Sequence, residues 1–339
     1  MKLDAALGTE GNYLEGIGRT ARAAEDLGFA GLWSNETKHD GFLPLAIAAN
    51  ETGEMELGTS VAIAFSRSPM ETAQTAWDLQ GLSEGRFLLG LGTQVKAHIT
   101  RRFSMPWGRP AARLREYILA VRAIWESFQA EGALQFEGEF YGHTLMTPFF
   151  NPGPIEHPEI PVYIAGVNTR LARLAGEICE GFHVHPFHSP EYVRQTVRPA
   201  ISEGADKAGR DPGQVELATS AFVISAEGEE EAAEQRESVR AQISFYASTP
   251  TYRTVLEAHG WEEVGERLGT MAREKKWREM PALITDDMLA AFAVEAAPDE
   301  IGPVLKERYE GLIDRVSLYL SFAPGKRDEF WQKVVESVS

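Results

Sequence analysis

The chain has 339 residues, 43% hydrophobic and 10% aromatic, enough apolar side chain for a large buried core. Its 33 basic and 50 acidic residues give a formal charge of −17, which argues against a broad nucleic-acid surface but leaves room for a small anionic cofactor held by helix ends and a few arginines. No apolar run approaches the ~20 residues of a membrane span, Met1–Leu7 does not read as a secretory leader, and the single cysteine, Cys179, forms no internal disulfide, which fits a reducing cytoplasm.

In chain order, short apolar runs alternate with helical periods. Leu3–Leu7 reads as a first strand, and Leu14, Ile17, Ala21, Ala24 and Leu27 form one helix face that Gly28 ends. Gly31–Ser34 begins strand two and Phe42–Asn50 is a short apolar helix. Leu57–Phe65 is strand three, followed by a helix start at Ser68-Pro69-Met70-Glu71 with a capping box and an N-terminal proline. Arg86–Leu91 is strand four, and Arg109–Phe128 a long amphipathic helix. Val162–Ala165 is strand five with a helix over Thr169–Cys179, and Phe182–His185 is strand six with a helix through Glu203. Val215–Ser225 is strand seven, followed by a helix over Glu229–Tyr246. Arg315–Leu320 is strand eight and Arg327–Val338 closes the chain. Eight such units predict an α/β fold, a closed (β/α)8 TIM barrel, as one domain over residues 1–339. Two stretches depart from the repeat: residues 132–161, a hairpin around Gly138 after strand four, and residues 247–298, a helical insertion after strand seven.

Three blocks resemble the bacterial luciferase-like monooxygenase superfamily: Leu57 to Pro69, Gly85-Arg86-Phe87-Leu88-Leu89-Gly90-Leu91-Gly92-Thr93, and Pro161-Val162-Tyr163-Ile164-Ala165-Gly166 with the later Gly181-Phe182. They stand in the family's order and the resemblance covers essentially the whole chain. Trp33-Ser34-Asn35-Glu36, Thr59-Ser60-Val61 and Thr93-Gln94-Val95-Lys96-Ala97-His98 resemble the branch that uses the deazaflavin coenzyme F420 rather than FMN. The resemblance implies an oxidoreductase that moves hydride between F420 and a small-molecule substrate, in an oligomer, commonly a dimer. The alternatives are an FMN-dependent monooxygenase, a barrel that binds flavin without turnover, and a metal-dependent hydrolase.

Active sites in such barrels lie at the C-terminal ends of the strands. The family's non-prolyl cis peptide, carried over, falls at Ser60–Val61; read as a plain strand, Ser60 is simply small. Gly92, Thr93 and Gln94 end strand four, either approaching the cofactor or making a tight turn. Ala165, Gly166, Val167 and Asn168 precede a helix whose N-terminus can seat a phosphate; Asn168 can equally cap that helix, and Gly176 can serve the cofactor's tail or helix–sheet packing. Glu36, with His39 nearby, takes the place where the family often has a histidine or acid. Desolvated beside an apolar ring it would act as proton donor or acceptor; as a solvated loop residue it would pair with Lys38. His98 and Trp107, with Arg101 and Arg102, follow strand four in a long loop suited to substrate or cofactor contacts; Arg101 and Arg102 can equally be surface charges offsetting the acidic balance. His183, His185 and His188 crowd strand six, with His185 a candidate substrate contact; His-x-His can bind metal, but strand one lacks such a pair and carboxylates do not collect at the other strand ends, so no metal is expected. Tyr246 and Trp277 read as packing residues.

Overall fold

A computed structural model describes residues 1–8 and 13–338. Eight parallel strands form its centre: β1 Lys2–Ala6, β2 Gly31–Ser34, β3 Glu56–Thr59, β4 Phe87–Gly92, β5 Val162–Gly166, β6 Gly181–Val184, β7 Glu216–Ile224 and β8 Arg315–Leu318. Each pairs with the next, and β8 returns to β1 in the register Lys2↔Arg315 to Asp4↔Ser317, so the sheet closes. Outside it stand α1 Ile17–Leu27, α2 Leu43–Ala49, α3 Pro69–Leu82, α4 Pro110–Ala130, α5 Thr169–Ile178, α6 Arg198–Ala208, α7 Glu229–Ala247 and α8 Asp328–Val338. The architecture is the (β/α)8 barrel that the alternation predicts.

Local chemistry sets the element ends. Gly28, at φ 94°, closes α1 in the left-handed conformation that glycine adopts most readily. The Ser68 hydroxyl accepts the Glu71 N–H and Pro69 opens α3. Strand three is shorter than its apolar run: β3 stops at Thr59, the Ser60–Val61 peptide is cis, and Ala62–Ile63 rejoins β4 before a single turn at Ala64–Ser66. Ahead of α6, residues Val193–Val197 form a wide turn, because Pro199 has no N–H for the Gln195 carbonyl and its ring crowds that group. Residues Phe136–Glu137 and Gly142–His143 pair as a small antiparallel hairpin. Between β7 and β8 run helices at Arg253–Glu257, Glu262–Arg273, Asp286–Phe292 and Ile301–Tyr309, and a strand that the helical reading did not include, Ala293–Glu295, along the outer end of β7.

Most of the core lies between strands and helices, while Trp33, Leu88, Tyr163 and Ala218 form a separate cluster inside the barrel. Beneath them Arg315, 0% exposed, forks onto Asp4, Nε to Oδ2 and Nη2 to Oδ1 both at 2.9 Å, and Nη1 reaches Glu56 at 2.6 Å. Trp33 Nε1 donates to the same Asp4 Oδ2 at 2.8 Å. Burial alone would lower the Arg315 pKa, yet Asp4 and Glu56 hold it well above the ordinary arginine value. Room for these large groups comes from missing side chains: a Cβ on Gly58 would sit 2.1 Å from the Trp33 ring, and one on Gly181 2.0 Å from Tyr163. Away from the His183–His185 strand end, carboxylates gather at the N-terminal end of the barrel, where Glu56 and Glu216 also pair with Lys2 at 3.1 and 3.5 Å.

Removing one partner of a buried ion pair leaves the other charge uncompensated, at a cost of ~3–5 kcal/mol. Asp4→Ala is therefore expected to lower the stability of the protein by about that amount, seen as a fall in the urea midpoint at constant m. A loss below ~1 kcal/mol would show that Glu56 alone satisfies Arg315.

Candidate functional site

The C-terminal strand ends open on a cavity of about 520 Å³, within the ~300–1,000 Å³ typical of small-molecule sites. A larger hollow of about 600 Å³ lies at the opposite end of the strands, between α4 and residues 158–161, where Arg122 pairs with Glu180 at 2.8 Å. The strand-end cavity is the better candidate because all eight strands, or the residues just after them, line it.

One wall is the β3 break. Ser60 and Val61 line the cavity, and the Ser60 N–H donates to the Ser34 carbonyl at 2.7 Å. Two glycines on β4 leave room for this segment: a Cβ on Gly90 would stand 1.8 Å from the Thr59 oxygen, and one on Gly92 2.6 Å from Val61 Cγ2. Their smallness serves strand-to-strand approach at the cis peptide rather than only a tight turn. Gln94 lines the cavity at φ 55°, and its Oε1 accepts the Val95 N–H at 2.8 Å; Thr93 donates to the Gln94 carbonyl and is not on the wall.

Glu36 lines the cavity and is tightly held. Its carboxylate takes the two-pronged Arg67 guanidinium, both contacts at 2.8 Å, and the Ile63 N–H at 2.7 Å, while its own N–H reaches the Val61 carbonyl at 3.4 Å. The side chains of Glu36 and Arg67 are 7% and 13% exposed. Burial would lower the Arg67 pKa, but Glu36 raises it above its usual value. The glutamate is thus neither solvated nor dependent on Lys38 for its paired charge; it ties the end of β2 to the segment that follows the cis peptide. Arg67 had no assigned role in the sequence, and its signal is its position just after strand three. His39 sits at the rim, stacked on Tyr13 at 4.3 Å, outside the cavity wall.

Of the residues near β5, Ala165 lines the cavity. Gly166 is small because a Cβ would lie 2.6 Å from Leu171 Cβ, and the Val167 carbonyl accepts the Tyr192 hydroxyl. Asn168 caps α5, its Oδ1 accepting the Arg170 and Leu171 N–H groups at 3.1 and 3.4 Å. Gly176 turns away from the cavity: its Cβ would fall 2.1 Å from the Ile201 oxygen, so it serves the α5–α6 crossing, neither cofactor contact nor helix–sheet packing. His98 is exposed on the short helix Lys96–Arg101, and Trp107 packs edge-on against Phe65 at 5.9 Å; neither lines the cavity.

The histidines separate. His183 and His185 line the cavity, while His188 is buried behind it, its Nδ1 near the His185 carbonyl at 2.9 Å and its Nε2 3.0 Å from the Tyr309 hydroxyl. His183 lies edge-on to Trp33 at 4.9 Å, with Nε2 buried and without a partner; His185 Nδ1 accepts the Phe187 N–H. Burial pulls their pKa values down, to about 3 for His183 and His185 and about 4 for His188, so all are neutral near pH 7. Among the described residues no three metal-ligating side chains converge. Tyr246, read from the sequence as packing, does line the cavity, as does Tyr319 just beyond β8, and their hydroxyls lie 2.9 Å apart.

The family model "luciferase-like monooxygenase" matches residues 1–315, and the chain belongs to that family. It is 44% identical over 316 residues to an uncharacterized protein of Mycobacterium tuberculosis, covering 93% of this chain and 92% of that one. It is 28% identical over 306 residues to the 5,10-methylenetetrahydromethanopterin reductase of Methanolobus tindarius, covering 88% and 86%. The structure of the coenzyme F420 dependent tetrahydromethanopterin reductase from Methanopyrus kandleri superposes with a TM-score of 0.79 at 22% identity, over 99% of this chain and 98% of that one.

The neutral histidines make a pH prediction. Between about pH 4 and 6.5 the unfolded chain takes up protons at His183, His185 and His188 that the folded chain refuses, so their contribution is complete above ~6.5 and stability falls on acidification. Urea midpoints should drop from pH 7 to 5, and at pH 5 nitrogen-15 spectra should show the imidazoles of His183, His185 and His188 still neutral. Eight histidines titrating together near pH 6.5 would contradict the burial described.

Proposed function

We propose that the protein is an oxidoreductase that binds coenzyme F420 and exchanges hydride with a small organic substrate. The observation that carries this reading is the cavity wall at Ser60, Val61 and Gly92, where the small Gly92 lets the Val61 side chain lie close against β4, together with the unpartnered His183 Nε2 of the same cavity. Such a wall suits the face of a flat ring. The other groups around it are hydroxyls, amides, aromatic rings, neutral imidazoles and the Arg67-paired Glu36, which orient a ligand but supply no hydride themselves. The reductase relatives support the choice of F420.

On this reading Ser60, Val61, Gly92 and Gln94 hold the ring, with Thr93 behind them. Ala165, Gly166, Val167 and Asn168 lead the phosphate-bearing tail to the N-terminus of α5, where the helix dipole favours negative charge. When bound, F420 supplies a ring carbon that gives or accepts hydride and reacts poorly with oxygen. Glu36 acts by position, fixing Ile63 and Arg67 so that the Ser60–Val61 wall keeps its shape. The enzyme would work in the cytoplasm as a homo-oligomer. The family's own name favours a second reading, an FMN-dependent monooxygenase on the same wall.

Fluorescence titration of the purified protein with F420 and, separately, FMN decides between them. Tight F420 and weak FMN binding is expected; the reverse order transfers the assignment to an oxygen-using monooxygenase, and binding of neither overturns the cofactor site. Glu36→Gln should weaken cofactor binding roughly tenfold, about 1.4 kcal/mol, with a smaller effect on kcat. Unaltered binding with a collapsed kcat would instead make Glu36 a proton donor or acceptor.

A further inference from the structure

Hydride transfer to a neutral double bond requires a proton for the atom that receives the electron pair. That proton has few sources in this cavity. The Glu36 oxygens are already occupied, accepting two guanidinium contacts and one backbone N–H. His183 and His185 are neutral and, with pKa values drawn down by burial, do not become acids near pH 7. Serine and threonine hydroxyls on the wall are too weakly acidic. There remain two phenols, Tyr246 from α7 and Tyr319 after β8.

Their arrangement is suited to the task. The two hydroxyls are 2.9 Å apart, so one donates to the other and the pair always keeps one hydrogen unspent. Tyr246 is fixed by the edge-on ring of His185 at 4.6 Å, and Tyr319 by that of Phe222 at 4.8 Å. Tyr319 is 40% exposed, which connects the pair to water. Charge defines what they would face. Among the described residues no lysine or arginine lines the cavity, and Thr9 to Asn12, outside that set, include none. A phosphate or carboxylate on the substrate would find no counter-charge there.

We propose that Tyr246 and Tyr319 form the proton relay of the reaction and that its substrate is an uncharged carbonyl or imine, an assignment that rests on the hydride-transfer reading above. In the reducing direction, hydride adds two electrons and one hydrogen to the substrate carbon. The π pair of the double bond moves onto oxygen or nitrogen, which takes the proton of the Tyr246 hydroxyl. Tyr319 returns a proton to Tyr246 and is itself reprotonated from solvent, so the substrate gains one hydride and one proton, the hydride supplied by reduced F420, which would be left oxidised. Burial and the Tyr319 hydroxyl raise the Tyr246 pKa, and the proton moves only as a strongly basic alkoxide or amide anion develops beside it.

The test uses a matched pair of probes, acetophenone and 4-acetylbenzoate, titrated calorimetrically into the full-length protein with and without F420. The neutral ketone should bind at least tenfold more tightly than its carboxylated counterpart, and Tyr246→Phe should weaken it three- to tenfold while F420 affinity stays within twofold. With a ketone that turns over, Tyr246→Phe should lower kcat by 10²- to 10⁴-fold, and Tyr319→Phe should alter the solvent isotope effect on kcat. Equal or preferred binding of the anion, or ketone binding and isotope effects unaltered in both variants, would overturn the proposal. Failure of the wild-type protein to bind F420 would instead count against the cofactor reading, since the cofactor-free titration reads the tyrosines on their own.

Discussion

Arg315 carries its charge at the centre of a barrel, fully buried, and the ordering of the interior follows from how that charge is answered. Asp4 does so with a two-pronged contact between the first strand and the last, so the interaction that neutralises the guanidinium also fastens β8 to β1. The second acceptor position of Asp4 Oδ2 is spent on the Trp33 indole, which fixes that ring above the ion pair. Trp33 in turn packs against Tyr163 and the edge of His183, and Trp33 and His183 line the strand-end cavity. A buried pair of this kind adds little net stability over a well-packed apolar replacement. Its consequence lies in specificity: only one register of β8 against β1 brings Arg315 to Asp4.

The two ends of the barrel then differ in electrical character. Charges collect at the N-terminal end, where Lys2, Arg315, Asp4, Glu56 and Glu216 compensate one another. At the other end the lining is hydroxyl, amide, aromatic and neutral imidazole, with Glu36 bound to Arg67 as its single paired charge among the described residues. Burial that keeps the imidazoles neutral also strengthens each hydrogen bond a ligand could form there, because little water competes.

The barrel was legible in the sequence because its signals are local: apolar runs of strand length, helix faces spaced by three and four, Gly28 as a stop and Ser68-Pro69 as a start. What failed locally failed for tertiary reasons. The run through Phe65 is apolar enough for one strand, and nothing in it announces the turn after Thr59; only the family resemblance located the cis peptide. Ala293–Glu295 is too short to show a period and becomes a strand because β7 extends past the barrel. Strand-end positions such as Ser60, Gly92 and Ala165 could be named in advance, since the fold decides where strand ends point. Arg67, Tyr319 and Tyr246 could not. The partner of Glu36 is 31 residues away and that of Tyr246 is 73, distances over which spacing carries no information. Tyr246 also sits on an amphipathic helix, where an aromatic residue reads as core. Gly176 failed for the opposite reason: a glycine in a helix names close approach without naming the partner, here the backbone of α6.

On the proposed reading, a chain of charge −17 with a nearly uncharged cavity would handle an anionic cofactor and its substrate by different means. The protein's field opposes any anion at long range, though salt screens that opposition beyond ~8–10 Å. Close to the surface, fixed dipoles decide. The N-terminus of α5, with Arg170 in its first turn, supplies local positive potential beside Ala165, at the edge of the cavity rather than within it. A ligand whose negative groups lie on a tail can leave them there and insert only its neutral ring. A small substrate with its own carboxylate or phosphate has no tail to leave outside and would carry its charge among hydroxyls and neutral imidazoles. On that reading the division between a charged periphery and a neutral interior would admit one kind of anion and disfavour the other, with no need for a steric gate.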